Sequence, residues 1–289
     1  IAGAACIAPI LPPAMPLVLF GVAAQLSITK LFFTGIFPGL IMAVSLVITW
    51  KLVARKDFAN SPKQQFNLPE LLKATREAIW ALLLPFIIIG GMKSGMFTPT
   101  EAAVVAAVVA LIVSVFIYRG MKLSDLPHIL LASAKTASSI MLIVAASMVS
   151  AWLITIADIP AQVTDMMAPF MDNKLLLMVI LMVLVFAVGT ALDLAPTVLI
   201  LTPVLMPLVK EAGIDPYYFG IMFMMNNAIG LITPPVGMNL FVVQSLRKSG
   251  SMNAVINGSL PFVLSLFAMV AMLYFFPDLA MWLPRVFAN

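Results

Sequence analysis

Charge is scarce in this chain of 289 residues. Asp, Glu, Lys and Arg together make up 10% of it, where a water-soluble domain carries about a quarter. Cysteine and histidine are each reduced to one residue, Cys6 and His128. A lone cysteine excludes a disulfide within the chain and any Cys-based metal cluster. No GxxxxGK[ST] phosphate loop and no paired His/Asp constellation is present, which disfavours ATP-driven pumping and intramembrane proteolysis by this chain. The net charge is only +4. The basic residues fall near expected helix ends, so they speak for membrane topology and not for nucleic-acid binding. The first residues show neither the basic region nor the cleavage site of a secretory signal. Because the chain opens at Ile1 inside an apolar, Ala-rich segment, it reads as part of a longer polypeptide.

What is abundant is apolar surface. Hydrophobic residues reach 63% and the mean hydropathy is +1.12. Runs such as 175–187 are apolar all round, not striped, as suits lipid or the inside of a bundle. The expectation is an all-α polytopic membrane protein. Apolar runs of about 17–25 residues, bounded by charge, Gly or Pro, give the elements. A short helix is expected over 14–27 and a full span over 34–50. An amphipathic interfacial segment covers 62–77, followed by a span over 78–92. Further spans cover 101–118 and 133–156, and the acidic stretch 158–172 reads as a loop or surface helix. Helices follow over 174–188, 197–209, 216–229, 236–246 and 253–276.

Two Pro-Pro pairs interrupt apolar stretches, Pro12-Pro13 and Pro234-Pro235. Proline lacks an N–H and clashes with the preceding turn, so a pair stops a helix in mid-membrane. The carbonyls freed there are tolerable only around a polar cavity, an ion or a solute. Gly35 with Pro38 lies 22 residues past Pro13, and Gly258 with Pro261 lies 23 past Pro235. Such matched interruptions mark an internal repeat and point to the binding site of a secondary transporter. The basic loops near Lys51 and Arg119 and at Arg247-Lys248 are expected on the cytoplasmic side, and 158–172 outside. In this reading each Pro-Pro segment enters the membrane and returns, the first opening outward and the second inward. That is an inverted topology.

Several polar residues lie within apolar surroundings. Asp193, flanked by Gly189, Thr190, Pro196 and Thr197, is an intramembrane carboxylate and a functional candidate; it could also be a helix cap. Asn226 and Asn227 precede the second Pro-Pro, where they could line a cavity or bond a neighbouring helix. Asn239 lies just past it. Glu101, after Thr98 and Pro99, reads as part of a helix start. His128, beside Pro127, reads as structural or surface. Gly35 and Gly39 could permit close helix contact.

These residues carry a family resemblance. Gly189, Asp193 and Pro196, then Pro203 and Pro207, Gly213 to Pro216, Phe219-Gly220 and Asn227 to Gly237 resemble the large membrane subunit of TRAP transporters. Phe97 to Ala103, Tyr118-Arg119, Phe20-Gly21 and Lys30 to Gly35 match as well, so the likeness runs from Ile1 to Pro284. The family often places Ser directly after the first Pro-Pro, where this chain has Ala14.

The resemblance implies an inverted-repeat, elevator-type ion-transporter fold with re-entrant helical hairpins, in the bacterial inner membrane. It implies Na+-coupled uptake of an organic acid (a C4-dicarboxylate, sialic acid or sugar acid). A periplasmic substrate-binding protein would deliver the acid, and a small TRAP membrane subunit would act as scaffold. The chain would divide into 1–30 (end of the first hairpin), 31–92 (scaffold spans), 93–252 (second repeat and hairpin) and 253–289 (final scaffold span and periplasmic tail). Na+ is expected at Asp193, Gly189, Thr190, Thr197, Gly230, Thr233 and Gly237, with Pro9 and Pro12 serving the first break. Solute is expected at Asn226, Asn227, Thr233 and Asn239. No enzymatic role is expected. A stand-alone ion-coupled carrier and a channel or scaffold without a transport cycle remain the alternatives.

Overall fold

The computed structural model describes residues 1–55, 67–246 and 251–287. Among them the secondary structure is helical, with no strand. The helices are α1 (Ala2–Ala5), α2 (Met15–Ala24), α3 (Ile28–Val53), α4 (Leu68–Lys93), α5 (Pro99–Ile112, continued as a π-turn over Val113–Ile117) and α6 (Leu126–Ile156). They continue with α7 (Ile159–Met167), α8 (Lys174–Gly189), α9 (Leu194–Glu211), α10 (Pro216–Gly230), α11 (Met238–Leu246), α12 (Met252–Phe275) and α13 (Asp278–Phe287). Five of these segments are long and apolar enough to cross a membrane.

Cap chemistry explains many of the boundaries. Thr98 accepts from the Glu101 N–H while Glu101 reaches back to the Thr98 N–H at 2.8 Å, a capping box that opens α5 as expected. Asn67 caps α4, Asn173 caps α8 and Asp215 caps α10 through side-chain oxygens. Other boundaries differ from expectation. The separate segments 62–77 and 78–92 are corrected to one helix, α4, because no Gly or Pro lies between Glu70 and Leu84 to stop it. The start of that amphipathic segment, like Arg247-Lys248, lies outside the described residues. α6 begins at Leu126, so Pro127 and His128 occupy its first turn, where proline is tolerated. The tail beyond residue 276 forms α13, an amphipathic helix packed on α3.

The chain forms two compact units. One comprises Ala54–Met141 and is built on α4 packed against α5, with the Tyr118 hydroxyl donating to the Glu77 carbonyl at 2.6 Å. The other comprises Ile1–Val53 and Leu142–Asn289. The boundaries expected at residues 30 and 252 both fall inside this unit, where α3 packs on α2, α10, α12 and α13. Its centre is α10, which is buried from Tyr218 to Gly230. Phe20 of α2, Phe219 and Phe223 form an aromatic cluster against it. Gly220 admits that cluster: a Cβ there would lie 2.5 Å from the Phe20 ring.

The position of the hairpin is the main correction. Both Pro-Pro bonds are cis, and both interrupt a helix as expected. Yet α10 and α11, which flank the second pair, do not pack along one another, as the arms of a hairpin must. α8 and α9 do, joined by only four residues, 190–193. The second Pro-Pro segment is therefore a broken helix, α10–break–α11, and the helical hairpin is α8–α9. Loop charges accept this arrangement. If α8–α9 returns to the side of the acidic 158–172 segment, one crossing by α10–α11 brings the end of α11 to the side of Lys51.

Candidate functional site

The turn of the α8–α9 hairpin meets the break after α10. The Gly237 N–H donates to the Thr190 carbonyl at 3.0 Å, fastening the break to the hairpin turn. Gly230 makes the approach possible, since a Cβ on it would lie 2.6 Å from the Gly189 carbonyl carbon and 2.9 Å from the Thr190 nitrogen. Gly189 is equally constrained: a Cβ there would strike the Asn227 side-chain oxygen. Two glycines bring backbone to backbone because no other residue lacks the atom that would prevent it. Gly237 adds a left-handed conformation, φ 60°, at the end of the break.

The structure thus brings together Gly189, Thr190, Asn227, Gly230 and Gly237, spread over 49 positions in the chain. Asp193 and Thr197 lie at the α9 end of the same turn. Asp193 is the N-cap of α9, its carboxylate accepting from the Leu194 N–H at 2.8 Å, and it is solvent-exposed. Three hydroxyls in this region donate to their own helix turn: Thr190 to the Ala187 carbonyl, Thr197 to that of Asp193 and Thr233 to that of Ile229, at 2.7–2.8 Å. A hydroxyl whose proton is used this way keeps its lone pairs for a cation or a donor. Asn239 follows the break, half-buried, with its N–H on the Leu231 carbonyl.

Asn227 stands apart from these. It is fully buried, and neither its amide nitrogen nor its oxygen has a hydrogen-bond partner among the described residues. Burying an amide without a partner costs about 1–3 kcal/mol. A group held there at such cost, between two unwound backbone segments, fits a site that exchanges its partners with a bound species. Asn226 is separated from it. Its amide donates to the Met222 carbonyl at 2.8 Å, and its side chain faces a slot between α8 and α12.

The first break seats against the same region. The Cys6 thiol donates to the Ala228 carbonyl at 3.1 Å, one residue from Asn227. Pro9 is buried and Pro12 half-buried. Gly35 and Gly39 carry the break on α3, since a Cβ on Gly35 would meet the Ile10 carbonyl and one on Gly39 would lie 2.7 Å from Leu11. Gly258, its counterpart in the repeat, faces open space. Sequence reading missed the Cys6 contact and the Phe20–Gly220 packing. A single cysteine in an apolar stretch carries no signal of what it touches.

The family model of the tripartite ATP-independent periplasmic transporter, DctM component, matches residues 1–279. The 2,3-diketo-L-gulonate TRAP transporter large permease protein of Escherichia coli is 51% identical over 280 residues, covering 96% of this chain and 65% of that protein. A C4-dicarboxylate TRAP transporter large permease of Pseudomonas aeruginosa is 36% identical, with 96% and 64% covered. The sialic acid TRAP transporter large permease of Vibrio cholerae is 34% identical, with 99% and 66% covered. The chain spans just under two thirds of the length of these relatives. With an all-helical apolar fold and a family match along nearly its whole length, the chain belongs to the DctM component family of tripartite ATP-independent periplasmic transporters, multi-pass proteins of the bacterial inner membrane.

Proposed function

We propose that this chain forms the solute- and ion-binding part of a secondary transporter that takes up an organic acid coupled to Na+, by an elevator motion. The observation that carries the reading is the meeting of the hairpin turn and the broken helix around the partnerless Asn227 amide. Unwound carbonyls with hydroxyl lone pairs suit a hard cation, and helix N-termini at a break favour a carboxylate. Na+, as cargo, is assigned to the Asp193, Thr190 and Thr197 turn with the backbone of Gly189, Gly230, Thr233 and Gly237, and to the Pro9–Pro12 backbone of the first break. The solute is assigned to Asn227, Thr233 and Asn239. Asn226 is a weaker candidate, because its amide faces the α8/α12 slot.

A periplasmic binding protein and a small membrane subunit are the proposed partners. Among substrates, a sugar acid is the first to test, since the relative at 51% identity is named for 2,3-diketo-L-gulonate. The test is uptake by the full-length permease with its small subunit in liposomes, with and without binding protein and an inward Na+ gradient. Saturable uptake requiring both is expected, and Asp193→Asn should abolish Na+ dependence. Uptake unaffected by Asp193→Asn would remove the ion assignment. Uptake without a binding protein would favour a stand-alone carrier.

A further inference from the structure

Cys6 lies six residues before Pro12 and Ala228 six before Pro234, so the two are equivalent positions of the internal repeat. They are also the two ends of one hydrogen bond, from the Cys6 thiol to the Ala228 carbonyl at 3.1 Å. A residue that touches its own counterpart marks a two-fold axis between two copies. Packing elsewhere is reciprocal in the same sense: α1 lies on α11 and α12, while α10 lies on α2 and α3. The counterpart spans α3 and α12 meet as well, through Ser45 and Ser265. The thiol bond therefore stands where the inverted halves face one another, between the two breaks and inside one compact unit.

The end of α10 creates the need for this bond. In a continuous helix the Ala228 carbonyl would accept from the Ile232 N–H. Here that N–H turns to the Ile229 carbonyl at 3.1 Å and the Thr233 N–H to that of Gly230 at 2.9 Å, a tightened last turn before Pro234. The released carbonyl belongs to a fully buried residue and requires a donor, which Cys6 supplies from the other repeat. Beside Ala228, Asn227 holds its buried amide with no partner among the described residues, so the bond ends against a ligand-directed group. Three residues past Cys6 begins the Pro9–Pro12 backbone of the first break. The thiol has one proton and a second acceptor, the Ala2 carbonyl of its own turn at 3.7 Å. A small shift of the first break decides which carbonyl receives it.

We propose that Cys6 is a positioning residue that couples the two breaks, so that Na+ bound at one changes the affinity for Na+ at the other. Cys6 itself touches neither ion nor solute. The coupling rests on the assignment of Na+ to both breaks made above, and by linkage it acts equally in both directions.

The test uses the full-length permease with its small subunit in mild detergent, at an ionic strength held constant with choline chloride. Any native cysteine other than Cys6 is replaced by Ser, so that infrared spectroscopy sees one S–H stretching band. Exchanging choline for Na+ should shift that band. Na+ should also raise the melting temperature along a sigmoidal curve. Cys6→Ser keeps a donor and should keep the sigmoid. Cys6→Ala removes the donor, and should make the curve hyperbolic and raise the half-effective Na+ concentration several-fold. A merely structural role would lower the melting temperature without changing the steepness of the curve. A thiol band indifferent to Na+, or an equally steep curve for Cys6→Ala, would overturn the coupling and leave the ion assignment standing. A wild-type melting temperature that ignores Na+ would remove the ion assignment, and the coupling with it.

Discussion

At the scale of single residues, Asn227 separates stability from function most cleanly. Its amide is buried without a partner, so replacing it by Leu, which keeps the branched shape in a somewhat larger volume, removes a desolvation penalty. Asn227→Leu should leave the melting temperature equal or raised while uptake falls to background. A loss of stability equal to the loss of uptake would mean the amide is structural. Asp193 allows a similar separation. It caps α9, and Asn caps a helix as well as Asp does. Asp193→Asn should therefore keep the fold, whereas Asp193→Ala should cost about 1 kcal/mol; parallel thermal melts of the two variants check this. Glycines at the crossing should be the least tolerant positions. Gly230→Ala puts a Cβ 2.6 Å from backbone that cannot rotate away, with an expected cost of roughly 1–3 kcal/mol by thermal melt. The same change at Gly258, which faces open space, should be silent or slightly stabilising.

At the scale of elements, boundaries followed local chemistry wherever a cap or a breaker was decisive. Thr98 and Glu101 announced the start of α5 because both bonds of a capping box lie within four residues. Removing it with Thr98→Ala should lower stability by about 1 kcal/mol, a change followed by thermal melt of the full-length protein in detergent. Where a charged stretch carried no breaker, as at Arg76-Glu77, composition suggested a boundary that the continuous backbone of α4 does not have. The hairpin was misplaced for a related reason. Pro-Pro reports that hydrogen bonding stops, and it says nothing about whether the chain then turns back or continues. That direction depends on what the two arms pack against, and α8 against α9 is a contact between segments that look alike in sequence.

At the scale of the molecule, Ile1–Val53 and the second half of the chain, Leu142–Asn289, belong to one compact unit. α3 and α12 meet inside it through Ser45 and Ser265, whose hydroxyls share a hydrogen bond. If this unit stays intact during transport, joining the two helices there should be harmless. Ser45→Cys with Ser265→Cys, in the full-length permease with Cys6 and any other native cysteine replaced by Ser, should form a disulfide on oxidation and keep uptake near the level of the reduced protein. Loss of uptake reversed by a thiol reductant would show that α3 and α12 separate during the cycle.

The membrane class, most helices and the family were legible in the chain itself. Scarcity of charge, long apolar runs and the motifs around Asp193 and Pro234 are local properties that need no neighbour to be read. The surroundings of Asn227 and Asn226 were not legible. Two adjacent asparagines differ by about 100° around α10, so one meets the Gly189 turn and the other the slot beside α12. The sequence named the pieces of the site, Gly189, Thr190, Asn227, Gly230 and Gly237. Only tertiary packing decided which of them touch, because two helices must cross before the absence of a Cβ at their crossing has any meaning.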